Sequence, residues 1–196
     1  MAIADRKFIA FYSPYPNAGK TAAMWSIDLP ALRHSFSEQI KTSIKDIFYL
    51  PGLGEENINK DKSIKRCGGR TYREICVAFG QFCKTIMPDV WIYHTAIDMG
   101  FSPSYFTIID DLHFPDEYEF CKDEGAKIVR ITNPGREIIK TETEALLEGY
   151  KFDYELINYK RSIEEYQAQL KEMIKSLFGD DFYDVYGKSS NYAGRL

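Results

Sequence analysis

Residues Lys7–Ala23 read KFIAFYSPYPNAGKTAA, and this stretch constrains the fold more than any other. The apolar run Phe8-Ile9-Ala10-Phe11-Tyr12 has the length and continuity of a strand buried on both faces. A turn-rich segment follows, then Gly19-Lys20-Thr21, then Ala22-Ala23-Met24-Trp25, which read as the first turns of a helix. Strand, loop and a Gly-Lys-Thr that opens a helix is the plan of a phosphate cradle. Backbone N–H groups face the anion, the lysine reaches the β- and γ-oxygens, and the threonine hydroxyl holds Mg²⁺. On this reading Asn17, Ala18, Gly19, Lys20 and Thr21 contact the phosphates of a nucleoside triphosphate, and Thr21 is also a metal ligand. The usual spacing G-x-x-x-x-G-K-[ST] is incomplete, because Pro14 stands at the first glycine and Pro16 removes a further N–H. The cradle must therefore use the N–H groups of Asn17 to Thr21.

The 196 residues suit one well-buried domain, and the balance of 44% hydrophobic and 28% charged residues argues against a disordered chain. A formal net charge of −4 supplies no general attraction for nucleic acid. No stretch is long and apolar enough to span a membrane, and the opening MAIADRK lacks a signal-type apolar region, so a cytoplasmic location is expected. Cys67, Cys76, Cys83 and Cys121 show no C-x-x-C spacing and read as reduced thiols. His34, His94 and His113 are scattered, which gives no support to a metal cluster.

Downstream, apolar spacing predicts a helix from about Ser37 to Phe48 with Ile40, Ile44, Ile47 and Phe48 on one face. Residues 50–69 read as a long exposed loop. Thr71-Tyr72-Arg73-Glu74 is a capping-box sequence, and the helix behind it carries Ile75, Phe79, Phe82 and Ile86 on one face until Met87-Pro88. Val90–Ile97 suggests another helix, Tyr105–Ile109 a buried strand, and Phe114-Pro115 a helix start that runs to about Gly125. Lys127–Ile131 and Phe152–Ile157 read as strands. Between them lies a charged segment, 133–149. Ser162-Ile163-Glu164-Glu165 opens an amphipathic helix to about Phe178, and the tail from Gly179 reads as loosely held. Alternating helices and continuously apolar strands predict an α/β fold, a mostly parallel sheet covered on both faces.

Asp110 and Asp111 follow an apolar strand, at the sheet edge where ligands of open α/β folds sit. A carboxylate there either serves Mg²⁺ or caps the next helix, and the residues alone leave both open. Arg70 and Arg73 flank the capped helix start, where guanidinium groups suit a phosphate in bidentate fashion, against the plainer reading of a solvated basic patch. Arg130 ends a buried strand and Arg136 lies in the charged segment after it, so both are candidate cations for a transferring phosphoryl group. Nucleophilic catalysis lacks a G-x-S-x-G, and a GTPase lacks N-K-x-D, since Asn59-Lys60-Asp61-Lys62 is off by one place.

Several blocks, in order, resemble the bacteriophage deoxynucleoside monophosphate kinases, a branch of the P-loop kinases. Gly68-Gly69-Arg70-Thr71-Tyr72-Arg73-Glu74, then Phe79-Gly80, then Pro88-Asp89-Val90-Trp91 is similar to the family's G-R-T-x-R-E … L-G-T-x-x-G-R … D-x-D-x-W. Ile109–Glu117 is similar to I-x-D-V-R-F-P-N-E, and Gly125–Ile131 to G-G-x-V-I-R-I. Glu142–Glu144 sits at H-E-S-E, and Phe152–Asn158 with Ser162–Glu165 at F-D-x-x-I-x-N … S-L-E-E-L. The chain departs from the pattern at His113 and Thr141, where the family has Arg and His, and at Lys84 near a family Arg. The resemblance implies a P-loop kinase-like three-layer sandwich, spanning 1–196 as one domain, that moves the γ-phosphoryl of ATP to a deoxynucleoside monophosphate with Mg²⁺. It implies phosphate contacts from Gly19, Lys20 and Thr21, acceptor contacts from Arg70 and Arg73, a magnesium-side Asp111, and Trp91 in the wall of the nucleoside pocket. Two rivals share the fold. One is a kinase of a base hydroxyl in DNA, such as 5-hydroxymethyluracil, with Asp110 as base and a basic groove at Lys60–Arg73. The other is a non-catalytic nucleotide-binding protein. Small-molecule nucleotides, DNA under the first rival and a second copy of the chain are the partners to consider, and a membrane is not.

Overall fold

The computed structural model describes residues 6–15, 18–50, 61–101, 105–134, 146–159 and 162–186. In chain order the elements are β1 (Lys7–Tyr12), α1 (Lys20–Ser26), β2 (Leu32–His34), α2 (Glu38–Phe48), α3 (Tyr72–Ile86), α4 (Val90–Phe101), β3 (Phe106–Leu112), α5 (Pro115–Asp123), β4 (Lys127–Thr132), β5 (Tyr154–Ile157), α6 (Ile163–Phe178) and α7 (Asp181–Tyr186). They fall into two compact units, Met1–Ser35 with Phe101–Leu196, and Phe36–Gly100. In sequence the second unit is inserted between β2 and β3.

The first unit is built on a five-stranded sheet of order β2-β3-β1-β4-β5, in which every pairing is parallel. Parallel neighbours need crossovers, and the intervening helices supply them and cover the sheet. This all-parallel sheet flanked by helices is the arrangement of a P-loop kinase-like fold. β1 is central, and Ile9 and Phe11 on one of its faces join Ala23 and Met24 of α1 and Tyr166, Leu170, Met173 and Ile174 of α6 in a single buried cluster. The β1–β3 register shifts between Ala10, opposite Ile109, and Tyr12, opposite Leu112, so β3 carries one extra residue there. Such a bulge re-aims side chains, and the residues it re-aims are Asp110 and Asp111.

Three differences from the sequence reading have physical causes. β3 does not stop at Ile109 but runs through both aspartates to Leu112, because their backbone can still pair while their side chains find polar partners. β2 was not legible, since three residues after Leu29-Pro30 carry no periodicity. Arg33 in β2 donates to the carbonyls of Met24 and Ile27, both 3.3 Å away, and so satisfies acceptors that the end of α1 leaves open. The tail from Gly179 is anchored at its start, where Phe182 of α7 is buried against Phe106 and Phe178, each at 5.4 Å between ring centroids.

The second unit is helical. Ile44, Leu50, Tyr72 and Ile75 form its buried cluster. The expected box at Thr71 is present: its hydroxyl accepts from Glu74 N and Glu74 accepts from Thr71 N. The indole N–H of Trp91 donates to the carbonyl of Gly80 at 3.2 Å, where a side chain at position 80 would press on Ile40 at 3.0 Å. The apolar faces of α2 and α3 are only partly covered: Ile47, Phe82 and Ile86 stay exposed. No single described helix is long and apolar enough to cross a membrane.

Candidate functional site

The chain leaves β1 toward β2 on one side of the sheet and leaves β3 toward β4 on the other. Connections that diverge in this way open a crevice at the C-terminal ends of the strands. β1 delivers Gly19-Lys20-Thr21 to that edge, and β3 delivers Asp110, Asp111 and His113.

Gly19 precedes α1 with φ 108° and ψ 18°, a left-handed conformation that side chains resist. A Cβ there would also lie 2.5 Å from Nδ2 of Asn158. The left-handed conformation calls for glycine, and a side chain there would also displace the Asn158 amide. The Thr21 hydroxyl donates to Oδ2 of Asp110 at 2.6 Å, and Asp110 is buried. Asp111 faces elsewhere and accepts from the Ser35 hydroxyl at 2.6 Å. The bulge at this point of β3 breaks the regular alternation, and the two carboxylates have different partners. Lys20 Nζ lies 3.4 Å from Nε2 of His113. The backbone N–H groups of His113 and Phe114 donate to the buried Glu117 carboxylate at 2.9 and 3.1 Å, which fixes the turn that carries the imidazole.

Two side chains much later in the sequence also reach the loop. Asn158 Nδ2 donates to the Ala18 carbonyl at 3.0 Å, and the Tyr166 hydroxyl donates to the Gly19 carbonyl at 3.4 Å. Burial pushes the Tyr166 phenol far above its usual range, so it remains a protonated donor. Burial likewise pushes the Cys121 thiol up, with Glu117, Asp111 and Glu124 adding to the shift. Cys121 is an unreactive core thiol, not a nucleophile.

Of the residues singled out by sequence, the structure brings together Ala18, Gly19, Lys20, Thr21 and Asp110. Thr21 is partnered by Asp110, whereas Asp111, the aspartate singled out as the metal ligand, is held by Ser35. Arg130 pairs across the sheet with Glu155 at 3.4 Å, and its guanidinium lies 5.6 Å from the ring centre of Phe152. Asn17 and Arg136 lie outside the described residues. Arg70, Arg73 and Trp91 belong to the second unit. There Arg70 lines a cavity of about 480 Å³ with Arg66, Phe48, Phe79 and Phe82. Arg73 is exposed and pairs with Asp61 at 3.1 Å, and Trp91 is buried in the helical core. Sequence reasoning gave no role to Asn158, Tyr166 or Ser35. Asn158 lay in a recognised block, but Tyr166 reads as one apolar position of a helix and Ser35 carries no signal. Among the described residues no group of three or more His, Cys, Asp or Glu is placed to hold a metal by itself. A Thr hydroxyl and an Asp carboxylate side by side do fit Mg²⁺, which takes few protein oxygens and completes its shell with water and phosphate.

No family model matches the chain. A protein of Acanthamoeba polyphaga mimivirus, provisionally named a deoxynucleotide monophosphate kinase, is 29% identical over 175 residues, which cover 78% of this chain and 89% of that one. The similarity supports a relationship to nucleotide kinases.

Proposed function

We propose that the chain is an ATP-dependent kinase that transfers the γ-phosphoryl group to a deoxynucleoside monophosphate, with both units acting as parts of one kinase domain. The observation that carries this reading is the meeting of Thr21 with Asp110 beside a left-handed Gly19 and a lysine, at the crevice edge of a parallel sheet. The extended similarity to the mimiviral protein supports the nucleotide class.

The residues divide the work. N–H groups of Gly19, Lys20 and Thr21 bind phosphate oxygens, and the Lys20 ammonium leaves His113 for the β- and γ-oxygens. Thr21 and Asp110 would hold Mg²⁺, which supplies positive charge to the transferring phosphoryl group. Arg70 and Arg73 would bind the acceptor phosphate, and the aromatic cavity beside Arg70 suits a base. An anionic acceptor needs no strong base, so catalysis rests on alignment and charge neutralisation. Asp110, engaged with Thr21, is poorly placed to take a proton from a hydroxyl acceptor, which weighs against the base-in-DNA reading.

The test is phosphoryl transfer from ATP, with and without Mg²⁺, to the free deoxynucleoside monophosphates and to hydroxymethylated duplex DNA. Metal-dependent formation of a deoxynucleoside diphosphate is expected. Transfer to DNA alone, or to neither acceptor, overturns the reading.

A further inference from the structure

The segment that follows β5 touches the Gly19 loop from behind. Asn158 is anchored by its own N–H, which donates to Thr132 O at 2.8 Å at the end of β4. Its side-chain amide then donates to Ala18 O. Tyr166, buried among Ala18, Ala23 and Met24, donates to Gly19 O, which also accepts from Ala23 N at 2.8 Å. Gln169, one turn further along α6, donates to Ile157 O at 3.1 Å and locks the helix to the end of β5.

These are contacts to carbonyls, and that decides their effect. In a trans peptide the C=O and the following N–H point in opposite directions within one plane. A donor fixed on Ala18 O therefore aims Gly19 N–H away from Asn158. Donors fixed on Gly19 O aim Lys20 N–H away from α6 and Tyr166. The two amides so aimed, of Gly19 and Lys20, are two of those that the phosphate-loop reading places on the anion. With Pro14 and Pro16 contributing no N–H upstream, the loop depends on the few amides that remain.

We infer that Asn158 and Tyr166 are positioning residues that hold the Ala18–Gly19–Lys20 peptide planes in the phosphate-binding orientation before nucleotide arrives. The inference rests on the phosphate-loop reading above. Neither side chain touches the nucleotide. Their action is on the triphosphate, through the loop, and not on the base. Removing Asn158 lets the Ala18–Gly19 peptide rotate, and removing the Tyr166 hydroxyl leaves the Gly19–Lys20 peptide held by Ala23 N–H alone, so part of the binding free energy goes into ordering them.

The experiment is calorimetric titration of the full chain, with Mg²⁺, by ATP and separately by inorganic tripolyphosphate, on wild type, Asn158→Ala, Tyr166→Phe and Lys20→Ala, together with the melting temperature of each ligand-free protein. The expected result for Asn158→Ala is a loss of about tenfold in affinity for both ligands, the scale of one hydrogen bond in a binding site. Tyr166→Phe keeps the ring in the core and should lose about threefold for both, since the bond it removes is long. Loss for ATP with tripolyphosphate unaffected would place Asn158 on the nucleoside and overturn the inference. Unchanged affinity for both ligands in both variants would also overturn it, whatever happens to the melting temperature. Should Asn158→Ala fail to fold, Tyr166→Phe decides alone by the same two readouts. A wild type that binds neither ligand removes the phosphate-loop reading itself, and so does a Lys20→Ala protein that binds both ligands as tightly as a wild type that binds them; a weakened Lys20→Ala with unchanged Asn158→Ala and Tyr166→Phe overturns only the inference.

Discussion

The contacts around Lys20 and those around Arg70 and Arg73 differ in reach. Thr21 meets Asp110 at a separation of 89 residues, Lys20 meets His113 at 93, Ala18 meets Asn158 at 140 and Gly19 meets Tyr166 at 147. Near the two arginines the partners are close in sequence: Arg73 pairs with Asp61, 12 residues away, and Thr71 with Glu74, three away. Residues Ala18–Thr21 are therefore held by contacts that exist only in the folded sheet. Arg73, with its side chain 57% exposed, keeps rotamer freedom that a ligand must remove. A preorganised loop suits the stabilisation of a developing charge, whereas mobile arginines suit the capture of an acceptor that must also leave.

If that contrast is correct, the largest effects belong to the loop. Lys20→Ala and Asp110→Asn should each lower phosphoryl transfer on the order of 10²–10³-fold, Lys20→Ala with little change in melting temperature. Asp111→Asn should act differently. It replaces the charged acceptor of the Ser35 hydroxyl by a neutral amide oxygen, so its cost should appear in stability, while turnover stays within about threefold. Steady-state kinetics and thermal melts of the three variants check this. Equal catalytic damage from both aspartates would erase the distinction between them.

Gly19→Ala comes next. The substitution meets a φ of 108° and a 2.5 Å approach to Asn158, so it should cost about 1–3 kcal/mol of stability and weaken ATP more than tenfold. Denaturant unfolding and nucleotide titration read the two losses separately. A variant that binds ATP normally would mean that the loop tolerates more freedom than the contacts imply.

The arginines should show smaller and more selective effects. Arg70→Ala or Arg73→Ala should raise the acceptor KM about tenfold, the scale of one lost charge-assisted hydrogen bond, and leave ATP affinity unchanged. Stability should hardly move, because an exposed ion pair such as Arg73–Asp61 contributes little. A loss of ATP affinity equal to the loss for acceptor would break the division of labour.

The same contrast explains what the sequence made legible. Features with a local signal could be read directly: the apolar runs of β1 and β4, the Thr71 box, and Gly-Lys-Thr after a strand. Features decided by remote contacts could not. Nothing in Asp110-Asp111 says which carboxylate turns toward Thr21, because the bulge against Ala10–Tyr12 decides it. β2 is a strand only because β3 lies beside it, with Leu32 opposite Thr107. The helical periodicity of α3 puts Phe82 and Ile86 on one face with Ile75 and Phe79, yet both are exposed. A period reports which residues share a face, not how much surface is present to cover it. Trp91, which the resemblance puts in a pocket wall, is buried and donates to the Gly80 carbonyl, a contact that no local pattern announces.

Asp153 sharpens the comparison from the other side, as a remote contact that serves the fold and not the loop. Its carboxylate accepts from Ile128 N at 2.8 Å and from Lys122 at 3.2 Å, and lies 3.5 Å from Lys127. It thereby fastens the start of β5 to β4. Burial alone would raise its pKa, but the Ile128 N–H and the two lysines outweigh burial and hold the carboxyl below its usual value. A depressed folded-state pKa contributes stability that is fully present above the unfolded value, near 3.9, and is lost as pH falls through the folded one. Asp153→Asn keeps the shape and removes the charge. Wild type should therefore exceed the variant by about 1 kcal/mol at pH 7, and the gap should close on acidification below about pH 4. Taking the difference between the two proteins cancels the other carboxylates, so denaturant unfolding at pH 7, 5 and 3 isolates this group. Phosphoryl transfer at pH 7 should be the same in both. A stability gap that stays constant down to pH 3 would mean that the carboxylate is not held by charge, and a fall in turnover would mean that the β5 anchor and the loop behind Asn158 are not independent.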